Sequence, residues 1–318
     1  MEKLSWKSIA IGLMCGALIL LFVQATYTDE DKLQKEFESY YRIYSLALPN
    51  TLELAGEKVP LHDPDVQERL DRELLTNVYW QSQTIMMVKR AQKYFPLVEQ
   101  IIAQNGIPDD MKFVVLAESG LQNLISPAGA TGYWQMLDGT AKNFGLEISN
   151  EVDERYHLIK STQAACAYFK LAYAEFKSWP LVAASYNMGI DGLKKQLQAQ
   201  QVNNYFDLWL NTETSRYVFR ILALKEIVNH PKRFGFHLNH KYQQPEMIQV
   251  KVTQPIADFV TFANQYGCTF KVFKLYNPWL RGKTLTPSVN KTYCIELPKD
   301  LVRKSIASGL IQNDTIVY

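Results

Sequence analysis

The sequence predicts a mainly α-helical protein closed by a small α+β module, and three observations carry that expectation. From Asp29 to about His230, apolar residues recur at three- and four-residue spacings, as on one face of a helix. Beyond Gln244-Pro245 the texture changes: Met247–Val252 and Thr292–Pro298 alternate apolar and polar residues, which is the mark of strands. The chain is 318 residues long, 47% hydrophobic and 21% charged, which fits about two ordinary globular domains and excludes wholesale disorder or a polytopic membrane protein. Lys and Arg total 34 against 32 Asp and Glu, so there is no basic surplus to coat a polyanion, and nucleic acid is not an expected partner. Aromatic residues reach 12%, including 18 Tyr and 6 Trp. That content suits a protein that stacks on sugar rings, and equally one with a Tyr-rich core.

The elements follow in chain order. No charge occurs between Lys7 and Asp29, and Ile9 to Val23 is an apolar run of 15 residues preceded by Lys3 and Lys7. That length suits a signal-peptide core of about 7–15 residues better than a membrane-spanning helix of about 20. Val23-Gln24-Ala25 offers a cleavage site after Ala25, so the segment reads as a signal peptide or an uncleaved signal anchor of an exported chain. Asp31–Tyr44 carries Leu33, Phe37, Tyr40, Tyr41 and Tyr44 on one helical stripe. Asp63-Pro64-Asp65 caps the next helix and places Pro in its first turn, with Val66, Leu70 and Leu74 following on one face.

Tyr94–Gln104 is a helix stopped by Asn105-Gly106. Ile107-Pro108-Asp109-Asp110 starts another, with acidic residues where the macrodipole favours them. Its interior, Met111 to Ala117, is nearly all apolar, and Glu118-Ser119-Gly120 closes it. Ser126–Gly132 is too rich in turn formers to be regular. Asp138, as a cap, begins a short helix; Ser161–Lys177 is a long one; Trp179-Pro180 opens the next; and Tyr217–Val228 ends the helical series. In the module, Ile256–Gln265 and Thr269–Leu275 are helices between the two strands, and residues 300–318 are ambiguous. The expected organisation is therefore 1–25 signal segment, 26–245 helical domain with a motif core over 95–235, 246–300 module and 301–318 tail.

Glu118 is the anomaly. Six of the seven residues before it are apolar, and a core helix has no packing reason to end on a carboxylate. Burial and the negative end of the helix both oppose ionisation, and a raised pKa is what a general acid needs near neutral pH. From residues alone, a Glu paired with Arg or Lys at a frayed helix end is an equal reading. The loop Ser126-Pro-Ala-Gly-Ala-Thr-Gly132-Tyr133-Trp134-Gln135 adds small residues, an aromatic pair and an amide, the parts from which sugar sites are made. Ala184-Ser185-Tyr186-Asn187-Met188-Gly189 adds a Tyr, an amide and a glycine turn. No CxxC or HExxH pattern occurs and the five His are dispersed, so neither a metal nor another cofactor is expected. Cys166 lies in a helical apolar run and reads as a buried small hydrophobe, whereas Cys268 and Cys294 are close enough in sequence to pair or to remain free.

Taken together, Glu118-Ser119, Ser126…Gly132-Tyr133-Trp134-Gln135 and Ser185-Tyr186-Asn187-Met188-Gly189 resemble the soluble lytic transglycosylase domain, of the goose-lysozyme-like family that cleaves bacterial peptidoglycan. The resemblance is strongest to its membrane-bound lytic murein transglycosylase D group. Asn105–Pro108, Thr140–Leu146, Val152–Arg155, Trp179–Leu181 and Glu213–Val218 extend it over about residues 59–238. It implies a lysozyme-like helical fold and Glu118 as the single acid/base. It also implies Ser126 and Gln135 as holders of acetamido and hydroxyl groups, and Tyr186, Asn187 and Tyr217 as cleft residues. Peptidoglycan glycan strands are the implied partner, and the periplasm or cell envelope the implied location, with membrane association through the N-terminal segment if it is retained. Cleavage of the MurNAc-GlcNAc bond would leave 1,6-anhydroMurNAc ends; a hydrolase and a catalytically idle wall-binding protein are the rival readings. Two departures from the family pattern stand out: the Glu118–Ser126 stretch is one residue short, and Tyr133 replaces an aliphatic residue. Residues 256–298 are similar to a LysM domain, a small peptidoglycan-binding fold, without its usual Gly-Asp-Thr opening.

Overall fold

The computed structural model describes residues 5–40, 43–288, 291–302 and 316–317, with the backbone only for 8–9, 23–30 and 316–317. Two compact units emerge, Met1–Leu46 and Ala47–Tyr318. In the first, one helix, α1 (Trp6–Tyr40), runs through both the apolar stretch and the start of the stripe that the sequence separates. Nothing between Gln24 and Glu30 breaks a helix, since that stretch holds neither Gly nor Pro. Residues 43–49 are irregular, so the helix stops short of Tyr44. Leu33, Phe37 and Tyr40 are exposed. Among the described residues, no helix is long and apolar enough to cross a membrane.

The second unit opens with a two-stranded hairpin, β1 (Glu53–Leu54) and β2 (Glu57–Lys58). It continues with α2 (Pro64–Tyr79), capped by the Asp63 carboxylate on the Asp65 N–H and burying Val66, Leu70 and Leu74 as expected. Helix α3 (Gln81–Gln104) begins thirteen residues before the expected Tyr94. Pro96 lies inside it, and Met87, Val88, Ala91 and Phe95 carry the buried face on upstream. A 3-10 turn at Asp109–Met111 leads into α4 (Lys112–Ser119), whose Phe113, Val114, Val115 and Leu116 are at most 1% exposed.

The loop that was expected to be irregular is closed by short antiparallel strands, β3 (Leu124–Ile125) and β4 (Thr131–Gly132), in register Leu124↔Gly132. Gly132 is required there: its φ is +84°, and a Cβ would sit 2.0 Å from the Arg155 carbonyl oxygen. Next come α5 (Asp138–Asn143), α6 (Leu158–Phe176) and α7 (Trp179–Met188). Asp138 is not the cap of α5 but its first residue, paired with Lys142 at 2.8 Å. Helix α8 (Ile190–Gln200) has no counterpart in the sequence reading, although Ile190, Leu193 and Leu197 share one face; only Leu193 is buried.

Helix α9 (Thr212–Asn229) is the axis of the lobe. It starts five residues before the expected Tyr217, because the Asn211 side chain accepts the Thr214 N–H at 2.9 Å. It packs against α2, α4 and α7, and Val218, Phe219, Ile221, Leu222, Ala223, Leu224 and Ile227 are almost wholly buried. Glu73 of α2, 1% exposed, meets Arg216 at 2.5 Å and Arg220 at 3.8 Å, so the buried carboxylate fixes the rotation of α9.

The C-terminal module holds β5 (Met247–Val252), α10 (Phe259–Gln265), α11 (Phe270–Tyr276), β6 (Tyr293–Pro298) and a short β7 (Ile316–Val317). Its strands are antiparallel in the order β6-β5-β7, with Val250 opposite Ile295. Helix α10 starts three residues later than the apolar pattern suggests. Asp258 caps it through the Thr261 N–H at 2.7 Å, while Ile256 lies extended and bridges to Leu285. The module shares its hydrophobic cluster with Val152 and Tyr156 of the helical lobe. Glu151 accepts from the Thr286 N–H at 2.8 Å, and Glu147 accepts from the Tyr293 hydroxyl at 2.9 Å. Cys268 and Cys294 are free thiols, as are Cys15 and Cys166. Cys166 is fully buried, which pushes its thiol up to about 11.

Candidate functional site

The site forms where α4 ends against α9. Gly120, at φ +58°, caps α4 with its N–H on the Leu116 carbonyl and so terminates the helix just beyond Glu118. Arg90 holds the Gly120 carbonyl at 3.1 Å. Ser119 donates to the Tyr133 carbonyl at 2.6 Å, which fastens the helix end to the β3–β4 hairpin and gives Ser119 a structural role. Glu118 is thereby presented to a cleft of about 520 Å³.

All six residues singled out in the sequence, Glu118, Ser126, Gln135, Tyr186, Asn187 and Tyr217, line this one cleft. The Tyr217 hydroxyl donates to Glu118 Oε1. Burial drives the Glu118 carboxyl up to about 7, against the Tyr217 hydrogen bond and the Arg220 charge, which favour ionisation, while the Glu213 charge adds to the rise. Burial is the dominant cause, with the Glu213 carboxylate a minor addition. The acid is half-protonated near neutrality.

Ser126, Gln135 and Tyr186 are held by backbone groups, and Asn187 by side chains of α9. Ser126 Oγ accepts the Ala130 N–H at 3.0 Å and closes the hairpin tip. Gln135 sits at φ +48°, a strained position for a side-chain-bearing residue, and donates its amide to the Gly132 and Leu124 carbonyls at 2.8 and 3.0 Å. Tyr186 donates to the Trp134 carbonyl at 2.8 Å. Asn187 accepts from Thr214 Oγ1 at 2.8 Å and donates to Glu213 Oε1 at 3.1 Å. One turn of α9 therefore sends Thr214 to Asn187, Arg216 to Glu73 and Tyr217 to Glu118. That division of labour is what the Glu213–Val218 motif encodes.

Three features differ from the sequence reading. The Tyr133-Trp134 pair does not line the cleft: Trp134 is fully buried and donates to Thr162 Oγ1 at 2.9 Å, while the Tyr133 ring lies 5.8 Å from that of Tyr94. Glu118 is not the only carboxylate of the cleft, since exposed Glu213 also lines it. Arg220 completes the charged rim. A position four residues after Glu213 and three before Arg220 on one helix, Tyr217 itself, was the available signal for both, because residues at such spacings share a face. Among the described residues, no group of three or more His, Cys, Asp or Glu is placed to hold a metal ion.

Comparison with known proteins adds sequence-level relations. Residues 97–208 match the family model "Transglycosylase SLT domain", and residues 248–301 match "Soluble lytic transglycosylase C-terminal LysM-like domain". Membrane-bound lytic murein transglycosylase D of Escherichia coli (strain K12) is 26% identical over 268 residues, covering 80% of this chain. The chain spans 58% of that relative's own length. A putative tributyltin chloride resistance protein of Alteromonas sp. (strain M-1) is 28% identical over 117 residues, covering 36% of this chain and 56% of the relative. An inactive mutant of the lytic transglycosylase Slt from Pseudomonas aeruginosa is a solved structure with TM-score 0.38 and 20% identity, covering 52% of this chain and 30% of its own.

Proposed function

We propose, from the premise that residues 97–208 are a transglycosylase SLT domain and residues 248–301 a LysM-like domain, that this chain is a lytic transglycosylase of peptidoglycan. The observation that carries the reading is Glu118: a carboxyl with its pKa at about 7, held by Tyr217, in a cleft that Ser126, Gln135, Tyr186 and Asn187 also line. Protonated Glu118 gives its proton to the glycosidic oxygen as the bond from that oxygen to C1 of the muramic sugar breaks. The carboxylate so formed takes the proton of the C6 hydroxyl, whose oxygen bonds to C1. The product is a 1,6-anhydro ring, the Glu regains its proton, and no water is consumed. The substrate's acetamido group assists at C1, with Ser126, Gln135 and Asn187 orienting it and the neighbouring hydroxyls. The cell envelope is the location that fits this substrate, and the relative's printed name, membrane-bound, supports association of the N-terminal segment with a membrane.

A second reading, hydrolysis, has one specific observation in its favour. Glu213 supplies a second carboxylate in the cleft, and glycoside hydrolysis with paired carboxylates uses one to activate water. Its Oε1 already accepts from Asn187, which favours a positioning role over that of a base. Mass spectrometry of the fragments released from purified sacculi separates the two. Anhydromuramoyl ends are expected, and reducing muramic acid ends would overturn the transglycosylase reading.

A further inference from the structure

Helix α9 lays a row of side chains along the cleft. Glu213, Tyr217 and Arg220 stand at i, i+4 and i+7, the spacing of one helix face, and all of them line the cleft. At 1.5 Å per residue the row runs about 10 Å from Glu213 to Arg220. Between them the Tyr217 hydroxyl meets the Glu118 carboxyl. The cleft is therefore polarised along α9, with a carboxylate at one end, the acid between and a guanidinium at the other.

The fold makes little use of Arg220. Its Nε stands 3.8 Å from Glu73 Oε2, beyond hydrogen-bond reach, and among the described residues it donates no hydrogen bond. Glu73 is engaged instead by Arg216 at 2.5 Å, so one buried anion faces two cations and a positive charge is left over at the cleft. The Arg220 side chain is 33% exposed, which leaves it open to a ligand. Nor does Arg220 help the acid. Its charge favours the ionised form of Glu118, against the burial that holds the proton in place. A guanidinium stays charged at any ordinary pH, and its planar fork fits a carboxylate through two parallel hydrogen bonds. A permanent, loosely held cation beside an acid that it weakens is the arrangement expected when the substrate brings the counter-ion.

We infer that Arg220 selects the muramic sugar by pairing with the carboxylate of its 3-O-lactyl group. The substrate rests on the reading of the cleft given above. The alternating sugars of a peptidoglycan strand differ at C3 alone, where the muramic residue carries the lactyl ether and the glucosamine a hydroxyl. C3 lies two carbons from C1, where the bond breaks. Arg220 lies one helical turn from Tyr217, about 5–6 Å between Cβ atoms, so a sugar whose C1 faces Glu118 has its C3 substituent within reach of the guanidinium. With the strand reversed, the lactyl carboxylate would lie toward Glu213, and like charges repel. The two charges thus decide which sugar presents its C1 and in which direction the strand lies. A stem peptide converts the lactyl carboxyl into an amide, so strands stripped of their stems are the preferred substrate.

The test is binding to the full chain carrying Glu118→Gln, measured by calorimetry. The probes are soluble tetrasaccharides of alternating N-acetylglucosamine and N-acetylmuramic acid, as the free acid, as its methylamide and with stem peptides attached. The free acid is expected to bind about tenfold more tightly than the methylamide, the equivalent of one charge-assisted hydrogen bond. Adding Arg220→Gln is expected to bring that ratio to about one, whatever the overall affinity, and Arg220→Lys to keep part of it. A merely structural role would weaken both ligands alike and leave the ratio in place. Equal affinities for acid and methylamide, or a ratio that survives Arg220→Gln, overturn the proposal. Tightest binding of the peptide-bearing strand, lost with Arg220→Gln, also overturns it by giving the guanidinium to a stem carboxylate. The two readings fail separately. A chain with Glu118 intact that releases no anhydro ends removes the enzymatic reading, while the binding ratio is read in a chain that cannot turn over.

Discussion

Replacing Tyr217 by Phe deletes one hydroxyl from a residue that is 2% exposed, and that hydroxyl donates to Glu118. The bond favours the ionised carboxylate and opposes the burial that holds the pKa at about 7. A hydrogen bond to a charged group contributes about 1.5–3 kcal/mol, and one pKa unit corresponds to about 1.4 kcal/mol, so its loss raises the Glu118 pKa by about one to two units. The reaction starts from the protonated acid, so kcat/KM of the wild type falls as pH rises through about 7. In Tyr217→Phe that basic limb moves to about pH 8 or 9, whatever the loss in plateau rate. The assay is the initial rate of anhydro-end formation from a soluble glycan fragment between pH 5 and about 10. A limb that stays in place, or moves to lower pH, would refute the argument that Tyr217 stabilises the ionised form of this acid.

Glu118→Gln is expected to abolish turnover, by at least the upper end of the roughly 10²–10⁴-fold that acid–base assistance supplies, while sugar binding measured by calorimetry persists. The same variant has a stability signature with a definite sign. The native carboxyl binds its proton more tightly than the unfolded one, so its contribution is lost as pH rises from about 4.5 to 7. Glu118→Gln therefore unfolds about 3 kcal/mol less readily than the wild type at pH 8, with the gap closing by pH 4.5; equal gaps in denaturant titrations at both pH values would count against burial as the cause. Gly132→Ala drives a Cβ into the Arg155 carbonyl at a left-handed backbone position, and urea unfolding should show a loss of about 2–4 kcal/mol. Deleting residues 246–318 uncovers Val152 and Tyr156, so the remaining lobe should lose about 3 kcal/mol or more, read as a fall in melting temperature; an unchanged transition would mean that the shared cluster contributes nothing.

What the sequence determined by itself is local. The strands at Met247–Val252 and Thr292–Pro298 and the helices that bury Val66, Leu70 and Leu74, or Phe113 to Leu116, were legible because apolar periodicity records which face meets a core. Glu118 stood out for the converse reason: a carboxylate closing an apolar helix has no evident packing role, although from residues alone an ion-paired helix end reads equally well. Helix α8 went unread although Ile190, Leu193 and Leu197 recur at helical spacing, and the continuity of α1 was hidden by a change in polarity that does not interrupt backbone hydrogen bonding. Contacts between residues far apart in the chain were decided only by the tertiary structure. Packing of α9 on α4 brought Tyr217 to Glu118 and carried Glu213 and Arg220 into the cleft, 95 and 102 positions along the chain from the acid. Close packing at the hairpin sent Trp134 into the core and Tyr133 to Tyr94, although neighbours in sequence share the same aromatic character. The cluster that joins Val152 and Tyr156 to the C-terminal module arises in the same way, because residue type fixes what a side chain seeks, and only the folded chain fixes which surface it finds.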